Sequence, residues 1–261
     1  MNKWLIIVVL TLLSCKSNDI KFELKYSDDF EKTTLNKEWT KETATKQSLE
    51  IVSDPLNKKN KVLKLKLNLG DVSGKGRYSN GYRCEVVYSP KDTINTVVKY
   101  QFKFLFPESF FKKGEKQGWI MHQWHDNPAL GYTWSDCKGT NPPYNLYVQH
   151  NANGDYFLKF TRGLRIGNID ERTTITYKDK LIPNHWYTFE NEIKWHVYSD
   201  KSYCIPKLDG QYFSDKKEKI YSRNMYNQIP NYFKMGLYWS GIEKYSREIY
   251  FDDFEFYKKT N

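Results

Sequence analysis

Three short segments of the chain place polar, chemically able side chains at even spacing within strand-like sequence. They are Tyr82-Arg83-Cys84-Glu85-Val86, Met121-His122-Gln123-Trp124-His125-Asp126 and Tyr232-Phe233-Lys234-Met235-Gly236-Leu237-Tyr238. Side chains at positions i and i+2 of a β-strand point to the same face. A face that combines arginine, glutamate, glutamine, histidine, lysine and tyrosine is too polar for a core, so the segments predict a wet cleft. The residues predicted to share such faces are Arg83 with Glu85, Gln123 with His125, and Tyr232 with Lys234 and Tyr238.

Each segment also has an ordinary structural explanation. An Arg-x-Glu pair on a strand is more often a cross-strand ion pair than a site. A Gln-x-His pair is usually a polar strand face, and the third segment reads equally well as an amphipathic strand. The presence of all three in one chain, in this order, favours a functional site.

As a set, the three segments resemble the jelly-roll polysaccharide lyases. Alginate lyases of polysaccharide lyase family 7 carry similar Arg-Thr-Glu-Leu, Gln-Ile-His and Tyr-Phe-Lys-Ala-Gly-x-Tyr segments. The Gln-Trp-His form and the chain length more closely resemble the heparin lyase I and glucuronan lyase group. The chain departs from the alginate pattern at Cys84, Val86 and Trp239-Ser240. The resemblance implies a lyase for a uronate polysaccharide of the glucuronan, ulvan, glycosaminoglycan or alginate type, with a glucuronate- or iduronate-containing chain favoured.

The residue types suit β-elimination on a uronate. This reaction removes the proton at C5, next to a carboxylate, and expels the glycosidic oxygen from C4. The C5 proton is weakly acidic until hydrogen-bond donors neutralise the carboxylate, and Gln123, His125 and Arg83 are suitable donors. A tyrosine near a cation can serve as base or acid, and the resemblance assigns that role to Tyr238. His125 is the alternative base, in which case Tyr238 is only the acid.

Four further residues are predicted to bind or position the substrate. Lys234 either stabilises a Tyr238 phenolate or binds an acid group of the substrate, and Glu85 orients Arg83. Tyr232 shares the face of Lys234. Trp124 is a candidate sugar platform, because a flat ring packs on the apolar face of a pyranose, although its position in the strand fits core packing equally well.

The elements that must position these residues are β-strands. Lys61 to Leu67 alternates lysine with apolar residues from Leu63 on, the period expected of a strand with one wet face. In Tyr100 to Phe106, aromatic residues occupy every second position, between Gln101, Lys103 and Leu105. No stretch has a sustained apolar stripe of helical period, and short helical turns are expected only around Pro107 to Phe111 and Ser222 to Gln228. We therefore predict an all-β fold, a two-sheet antiparallel β-sandwich of the jelly-roll, concanavalin-like type.

This sandwich is predicted to form a single domain over residues 20–258, in which Phe22 to Phe30 and Ile249 to Tyr257 lie next to each other. Residues 1–14 read as an export signal, since Lys3 precedes an apolar run that is too short to span a bilayer. The run ends in Leu-Leu-Ser-Cys, which resembles a bacterial lipoprotein signal with Cys15 as the lipidated residue and residues 15–19 as a tether. The protein is then anchored to the cell envelope, at the outer membrane; an ordinary secretory signal is the alternative.

Composition narrows the class of partner. The chain has 261 residues, 39% of them hydrophobic and 17% aromatic, and a formal charge of +10. A mean hydropathy of -0.78 argues against an integral membrane protein, so any membrane contact is expected through the lipid anchor alone. The positive charge favours an anionic polysaccharide. Nucleic acid is disfavoured by export and by the absence of a recognition motif, and we expect a monomer.

Metal and cysteine signals are weak. Asp29 and Asp253 belong to acidic clusters near the two ends of the domain, and oxygen ligands of this kind suit a structural Ca²⁺. The elimination itself needs no cofactor. Cys84, Cys137 and Cys204 follow no metal-binding spacing, and a Cys137–Cys204 disulfide is one option in an oxidising compartment.

Two other function classes remain open from sequence alone. A glycoside hydrolase on a sandwich fold needs two carboxylates across a cleft, and Glu190 and Glu192 share a strand face without forming a known hydrolase motif. A non-catalytic carbohydrate-binding lipoprotein would explain the aromatic residues and the anchor. It would not explain why arginine, glutamine, histidine and tyrosine occur together in the three segments.

Overall fold

The structure is a computed structural model that describes residues 21–43, 45–69, 71, 82–112, 118–133, 136, 141–166, 168–214, 218–239 and 245–260. The predicted export signal, Cys15 and Cys137 lie outside these residues. No helix in the described ranges is long and apolar enough to cross a membrane.

Almost all of the regular structure is β-strand. The strands are β1 (Phe22–Asp28), β2 (Thr40–Thr43), β3 (Leu49–Ser53), β4 (Lys61–Leu67), β5 (Tyr82–Tyr88), β6 (Val97–Leu105), β7 (Trp119–His125), β8 (Tyr144–His150), β9 (Tyr156–Arg162), β10 (Arg165–Ile166), β11 (Ile169–Asp170), β12 (Thr173–Lys180), β13 (Trp186–Lys194), β14 (Tyr203–Leu208), β15 (Gln211–Tyr212), β16 (Ile220–Tyr221), β17 (Tyr232–Trp239) and β18 (Arg247–Lys259). Two 3₁₀ turns cover Lys46–Ser48 and Glu108–Phe110.

The strands form two antiparallel sheets and a small hairpin. The back sheet has the order β15-β14-β13-β6-β18-β4-β3, with β1 paired to β18 and β16 paired to β14. The front sheet has the order β12-β9-β8-β7-β17-β5-β2, and β10 pairs with β11. Neighbours in each sheet are mostly distant in sequence, as in a jelly roll, so the two-sheet all-β prediction is confirmed.

Aromatic side chains from the inner faces of the two sheets fill the core between them. Phe102 of β6 is fully buried, and its ring centroid lies 5.8 Å from that of Phe233 on β17. Tyr100, also on β6, stacks on Phe233 at 5.3 Å. Such offset and edge contacts add to the burial of apolar area. Because successive side chains alternate, the inner positions of each front-sheet strand fix which residues point outward.

The predicted strands and the pairing of the termini agree with the structure. The strands that the sequence predicts from Lys61 to Leu67 and from Tyr232 to Trp239 have the same limits as β4 and β17, and β1 lies antiparallel to β18 with Asp28 opposite Phe254. One of the two predicted helical turns is present, at Glu108–Phe110.

The other predicted helical turn, Ser222 to Gln228, is wrong. Side-chain hydrogen bonds hold this segment in an irregular path instead: the Asn224 amide donates to the Tyr144 hydroxyl and the Lys194 carbonyl, each at 2.9 Å. Asparagine side chains compete in this way with backbone helix bonds.

The weaker sequence signals find little support. Asp253 forms an ion pair with Lys103 at 2.7 Å, and Asp29 accepts the Glu31 amide at 3.2 Å. The described residues hold no group of three or more His, Cys, Asp or Glu side chains that could bind a metal, so these contacts give the predicted calcium site no support. Cys204 and Cys84 are buried free thiols, and the other cysteine of the disulfide considered above, Cys137, lies outside the described residues.

Candidate active site

The outward face of the front sheet, which we call the polar face, brings the three sequence segments together. β17 lies between β5 and β7, with Lys234 opposite Gln123 and Tyr238 opposite Arg83. The same row continues from Gln123 to Asn145 on β8. The predicted polar side chains therefore share one surface, and Phe233 and Trp124 lie behind them in the core.

Two glutamates hold Arg83. Its Nη1 donates to Glu42 Oε2 at 2.6 Å, and its Nε lies 3.1 Å from Glu85 Oε2. Glu42 comes from β2, where it lies opposite Glu85 of β5. Contacts on two sides fix the guanidinium plane, and Nη2 takes part in neither of them. The expectation that Glu85 orients Arg83 fits this geometry.

Glu42 also binds the second cation of the site. Lys234 is only 2% exposed, and its Nζ donates to Glu42 Oε2 at 2.7 Å. A buried ammonium needs such a partner, since an unpaired charge is costly to bury. Lys234 is thus a neighbour of Arg83 through a shared carboxylate, and its charge is already compensated.

The contacts among these charged side chains determine the protonation states of Arg83 and Glu42. Burial lowers the pKa of Arg83, but Glu85 and Glu42 outweigh that effect and the net pKa is raised. Burial raises the pKa of Glu42, but Lys234 and Arg83 together lower it by more than burial raises it. The net pKa is therefore below its usual value. Both residues are charged near neutral pH.

Gln123 joins this group to β7. Its Nε2 donates to Glu85 Oε1 at 2.6 Å, and both side chains are almost completely buried. One amide N–H is used in that bond, which leaves the second for another acceptor. Glu85 therefore positions Arg83 and Gln123 together, two donors suited to one carboxylate.

His125 occupies the next outward position of β7 and has its ring fixed on one side. Its Nδ1 lies 3.0 Å from Asp126 Oδ1 and 3.2 Å from the Asp126 carbonyl oxygen. Both neighbours are acceptors, so Nδ1 carries the proton and a neutral ring has its lone pair on Nε2. The Tyr232 ring stacks on His125 at 5.6 Å between centroids.

Tyr232 itself lies among carboxylates. Burial raises its pKa, and the nearby charges of Glu42, Glu85 and Asp126 raise it further. The Lys234 Nζ lies 5.2 Å from its ring centroid. Tyr232 therefore keeps its proton and acts as a donor or a packing surface.

Tyr238 stands at the other end of β17, next to Arg83. The guanidinium carbon lies 4.6 Å from the centroid of the Tyr238 ring, within the range of a cation–π contact. The tyrosine is partly buried. Arg83 therefore lies against the residue to which the resemblance assigns the role of base or acid.

A glycine makes the close pairing of β5 and β17 possible. Gly236 has φ of +152°, and a Cβ there would lie 2.1 Å from the Cys84 carbonyl oxygen. The register between β17 and β7 also shifts between Met235 and Tyr238. Such bulges re-aim side chains, and here the bulge directly precedes Tyr238.

Trp124 corrects one sequence prediction. It is fully buried, and its ring packs edge-on against Tyr100 and Tyr144 in the core. It follows Gln123 in the strand, so alternation turns it to the inner face, and it cannot serve as a sugar platform on the polar face. The core explanation, which the sequence left open, is the right one.

Three residues of the site were not predicted from the sequence. Glu42 lies in a short edge strand without a distinctive pattern. Asp126 directly follows His125, and this adjacency in the sequence could have predicted a contact between the carboxylate and the imidazole. Asn145 occupies an outward position in the alternating β8 strand and is 7% exposed. The alternation of residues in β8 was therefore a signal that could have predicted it.

The arrangement supplies proton donors, two tyrosines whose rings lie beside cations, and one imidazole with a defined tautomer. It suits proton transfer at a carbon next to a carboxylate better than nucleophilic attack, because the half-buried Glu42 and the buried Glu85 are both held by cations or amides. No step of this kind requires a metal ion.

Comparison with known proteins gives a family match. A family model described as polysaccharide lyase matches residues 30–255. No curated protein matches the sequence at a significant level.

The fold is similar to that of solved structures with different activities. An endo-β-1,4-glucuronan lyase from the fungus Trichoderma reesei has a TM-score of 0.58 and 17% identity, with 91% of each chain covered. An alginate lyase of polysaccharide lyase family 7 has a TM-score of 0.55 and 10% identity, over 83% of this chain and 86% of that chain. An endo-1,3-β-glucanase from Streptomyces sioyaensis has a TM-score of 0.57 and 10% identity, over 92% and 97% of the chains. At these identities the likeness concerns the fold alone.

Proposed function

The chain belongs to the polysaccharide lyase family, and we propose that it cleaves a uronate polysaccharide by β-elimination on the polar face. The observation that carries the proposal is the placement of Tyr238 beside Arg83, on the same surface as Gln123 and His125. The activities of the glucuronan lyase and the alginate lyase with this fold support a uronate as the substrate class. The Gln-Trp-His form of the second segment, Gln123 to His125, favours glucuronate or iduronate over alginate.

The first task of the site is to neutralise the substrate carboxylate. Arg83 offers its Nη2 group, and Gln123 offers its second amide N–H. Glu85 holds both residues in place through contacts of 3.1 Å and 2.6 Å. Donors that are already oriented stabilise the enolate that forms when the C5 proton leaves, without reorganisation during the reaction.

The second task is proton transfer. We assign it to Tyr238, which takes the C5 proton as a phenolate and returns a proton to the glycosidic oxygen as C4–O breaks. The Arg83 guanidinium lies against the ring of this residue, 4.6 Å from the ring centroid. His125 is the alternative base, because Asp126 directs its lone pair to Nε2. Substitution of His125 by Asn separates the two assignments: loss of turnover as large as that from a Tyr238 substitution would make His125 the base.

The test uses the chain without its first fifteen residues and a panel of uronate polysaccharides: polyglucuronate, ulvan, heparan sulfate and alginate. Elimination creates a C4–C5 double bond that absorbs ultraviolet light. We expect a rise in absorbance on one member, reduced about 1,000-fold or more by Tyr238→Phe with an unchanged melting temperature. Full activity of Tyr238→Phe would contradict the assignment.

A hydrolase on the same fold is a weaker alternative. The glucanase among the similar structures shows that the fold alone does not decide the reaction. Glu190 and Glu192, the pair considered from sequence, lie on the back sheet. Glu190 pairs with Lys99 and Lys207, and Glu192 accepts the Tyr203 hydroxyl at 2.8 Å. Neither stands on the polar face.

We also propose export and lipid anchoring through Cys15, which the first fifteen residues support by their charge and apolar run. A labelled fatty acid incorporated into the full-length chain, and lost in Cys15→Ala, would test it. The protein is proposed to work as a monomer on an extracytoplasmic polyanion.

A further inference from the structure

Some cationic side chains of the polar face are paired with carboxylates, and others are not. Arg83 and Lys234 are bound by Glu42 and Glu85, and Asp126 adds a further carboxylate beside His125. The centre thus holds three carboxylates and two permanent cations, Arg83 and Lys234. A polyanion therefore gains no net attraction from the reaction centre itself, and its capture needs positive charge elsewhere on the face.

Lys159 supplies such a charge. It lies on β9, with Lys159 opposite Tyr147, Tyr147 opposite Ile120, and Ile120 opposite Tyr238. It thus shares the row of Tyr238 across the front sheet, three strand spacings or roughly 14 Å away. That span exceeds the length of one sugar residue. A polysaccharide chain lying across the strands would therefore reach Lys159 with a sugar that is more than one position from the cleaved bond.

The partner of Lys159 is neutral. Its Nζ donates to Gln149 Oε1 at 2.9 Å, and it forms no ion pair with any residue in the described part of the chain. Lys159 is partly buried on the outward phase of β9, since Leu158 and Phe160 on either side are core residues. An ammonium that is positioned by an amide, and not neutralised, is poised for an anionic ligand.

A ring surface lies next to this lysine. Tyr147 is partly buried between Ile120 and Lys159 in the row. A Cβ on Gly118 would lie 3.2 Å from the Tyr147 ring, so the glycine leaves the ring room to lie against the adjacent backbone. A flat ring beside a cation combines a sugar platform with an acid-binding group.

We infer that Tyr147, Gln149 and Lys159 form a second subsite, in which Lys159 binds the carboxylate of a uronate residue more than one position from the cleaved bond. The inference rests on the proposed function and deepens it, because it requires acid groups repeated along the chain. A substrate with a single uronate at the cleavage point would leave Lys159 without a ligand.

The test measures binding and turnover separately. In the slow Tyr238→Phe background, affinity electrophoresis with polyglucuronate and with alginate gives the dissociation constant. We expect Lys159→Gln to raise it about tenfold on the polymer that binds, as for loss of one charge-assisted hydrogen bond. Lys159→Arg should keep most of the affinity. Lys207→Gln, which removes an equal charge from the back sheet, is the matched control and should change it less than twofold.

In the active protein, Lys159→Gln should raise KM about tenfold and leave kcat within threefold, because the reaction centre is untouched. If double bonds form but Lys159→Gln behaves like Lys207→Gln, the subsite is wrong and the proposed function stands. If the polymer binds through Lys159 but no double bond forms, the proposed function is wrong and the subsite stands. If none of the four polysaccharides of the panel binds or reacts, both are overturned.

Discussion

The two faces of the front sheet use the same residue types for opposite purposes, and β7 shows this within a few positions. His122 and Trp124 point inward, where the His122 ring lies 3.9 Å from the Trp124 ring and 4.5 Å from the Phe233 ring. Gln123 and His125 point outward, into the network of Glu85 and Asp126. A strand period of two is enough to separate a packing surface from a chemical one.

The two histidines show what the environment decides. Burial lowers the pKa of His122 to about 3, so it is neutral, and its Nδ1 donates to the Lys234 carbonyl at 2.7 Å. This bond ties the core to the backbone of β17. His125 has a carboxylate at the same ring atom instead. The inner histidine is thus part of the scaffold, and the outer one lies on the polar face beside Asp126.

The largest effect should come from a position that serves both faces. Gly236→Ala would place a methyl group 2.1 Å from the Cys84 carbonyl oxygen, which forces β5 away from β17. We expect a loss of about 4 kcal/mol or more in the free energy of unfolding, together with loss of turnover in any folded fraction. Urea unfolding and the absorbance assay measure the two effects on one sample.

Leu237→Val, one position further along β17 and fully buried, is the matched control because it shortens a core side chain and adds no atom at the close approach of β17 to β5. It should cost about 1 kcal/mol and keep its activity. A Gly236→Ala protein with wild-type stability would contradict the close-approach argument.

The next effect is confined to the polar face. Glu42→Gln removes the carboxylate that holds Arg83 and Lys234 at 2.6 Å and 2.7 Å. We expect kcat/KM to fall roughly 10- to 100-fold, because displaced donors meet the substrate carboxylate poorly. Glu50→Gln, which breaks a surface pair with Lys64 on the back sheet, should leave kcat/KM unchanged. Equal values for the two variants would rule out a positioning role for Glu42.

The smallest effect is confined to the core face and depends on pH. The folded His122 pKa of about 3 lies below the ordinary value of 6.5, so the unfolded chain binds a proton between these values and the folded chain does not. Stability is then full above pH 6.5 and falls as the pH decreases. Between pH 7.5 and pH 5 we expect a loss of about 2 kcal/mol attributable to His122.

His122→Phe should lose correspondingly less stability over the same pH range in urea titrations. The same substitution at exposed His185 should leave the pH dependence as in the wild type. An identical pH dependence for wild type and His122→Phe would show that His122 is not the group responsible.

Much of the front sheet could be predicted from the sequence, because the alternation of residues within a single strand indicates which side chains point outward. The alternation in β17 gave both its limits and its polar face, with Phe233, Met235 and Leu237 inward. The same rule left Trp124 open, since a tryptophan suits a core and a sugar platform equally well. Only the neighbours of its ring decide, and those come from β6 and β8.

The remaining parts of the site depend on pairing between distant segments. Glu42 reaches Arg83 because β2 pairs with β5 across 41 residues of sequence, and no local pattern marks it. The failed helical turn at Ser222 to Gln228 has the same origin, since Asn224 finds its partners on β8 and β13. Tertiary hydrogen bonds overrode the local preference there.

The most direct test of the central claim counts two products in one reaction. The wild-type chain is incubated with the uronate polysaccharide it degrades, and new reducing ends and C4–C5 double bonds are measured in the same sample. Elimination on the polar face predicts one double bond for every new reducing end throughout the reaction. New reducing ends without double bonds would show hydrolysis and would contradict the account.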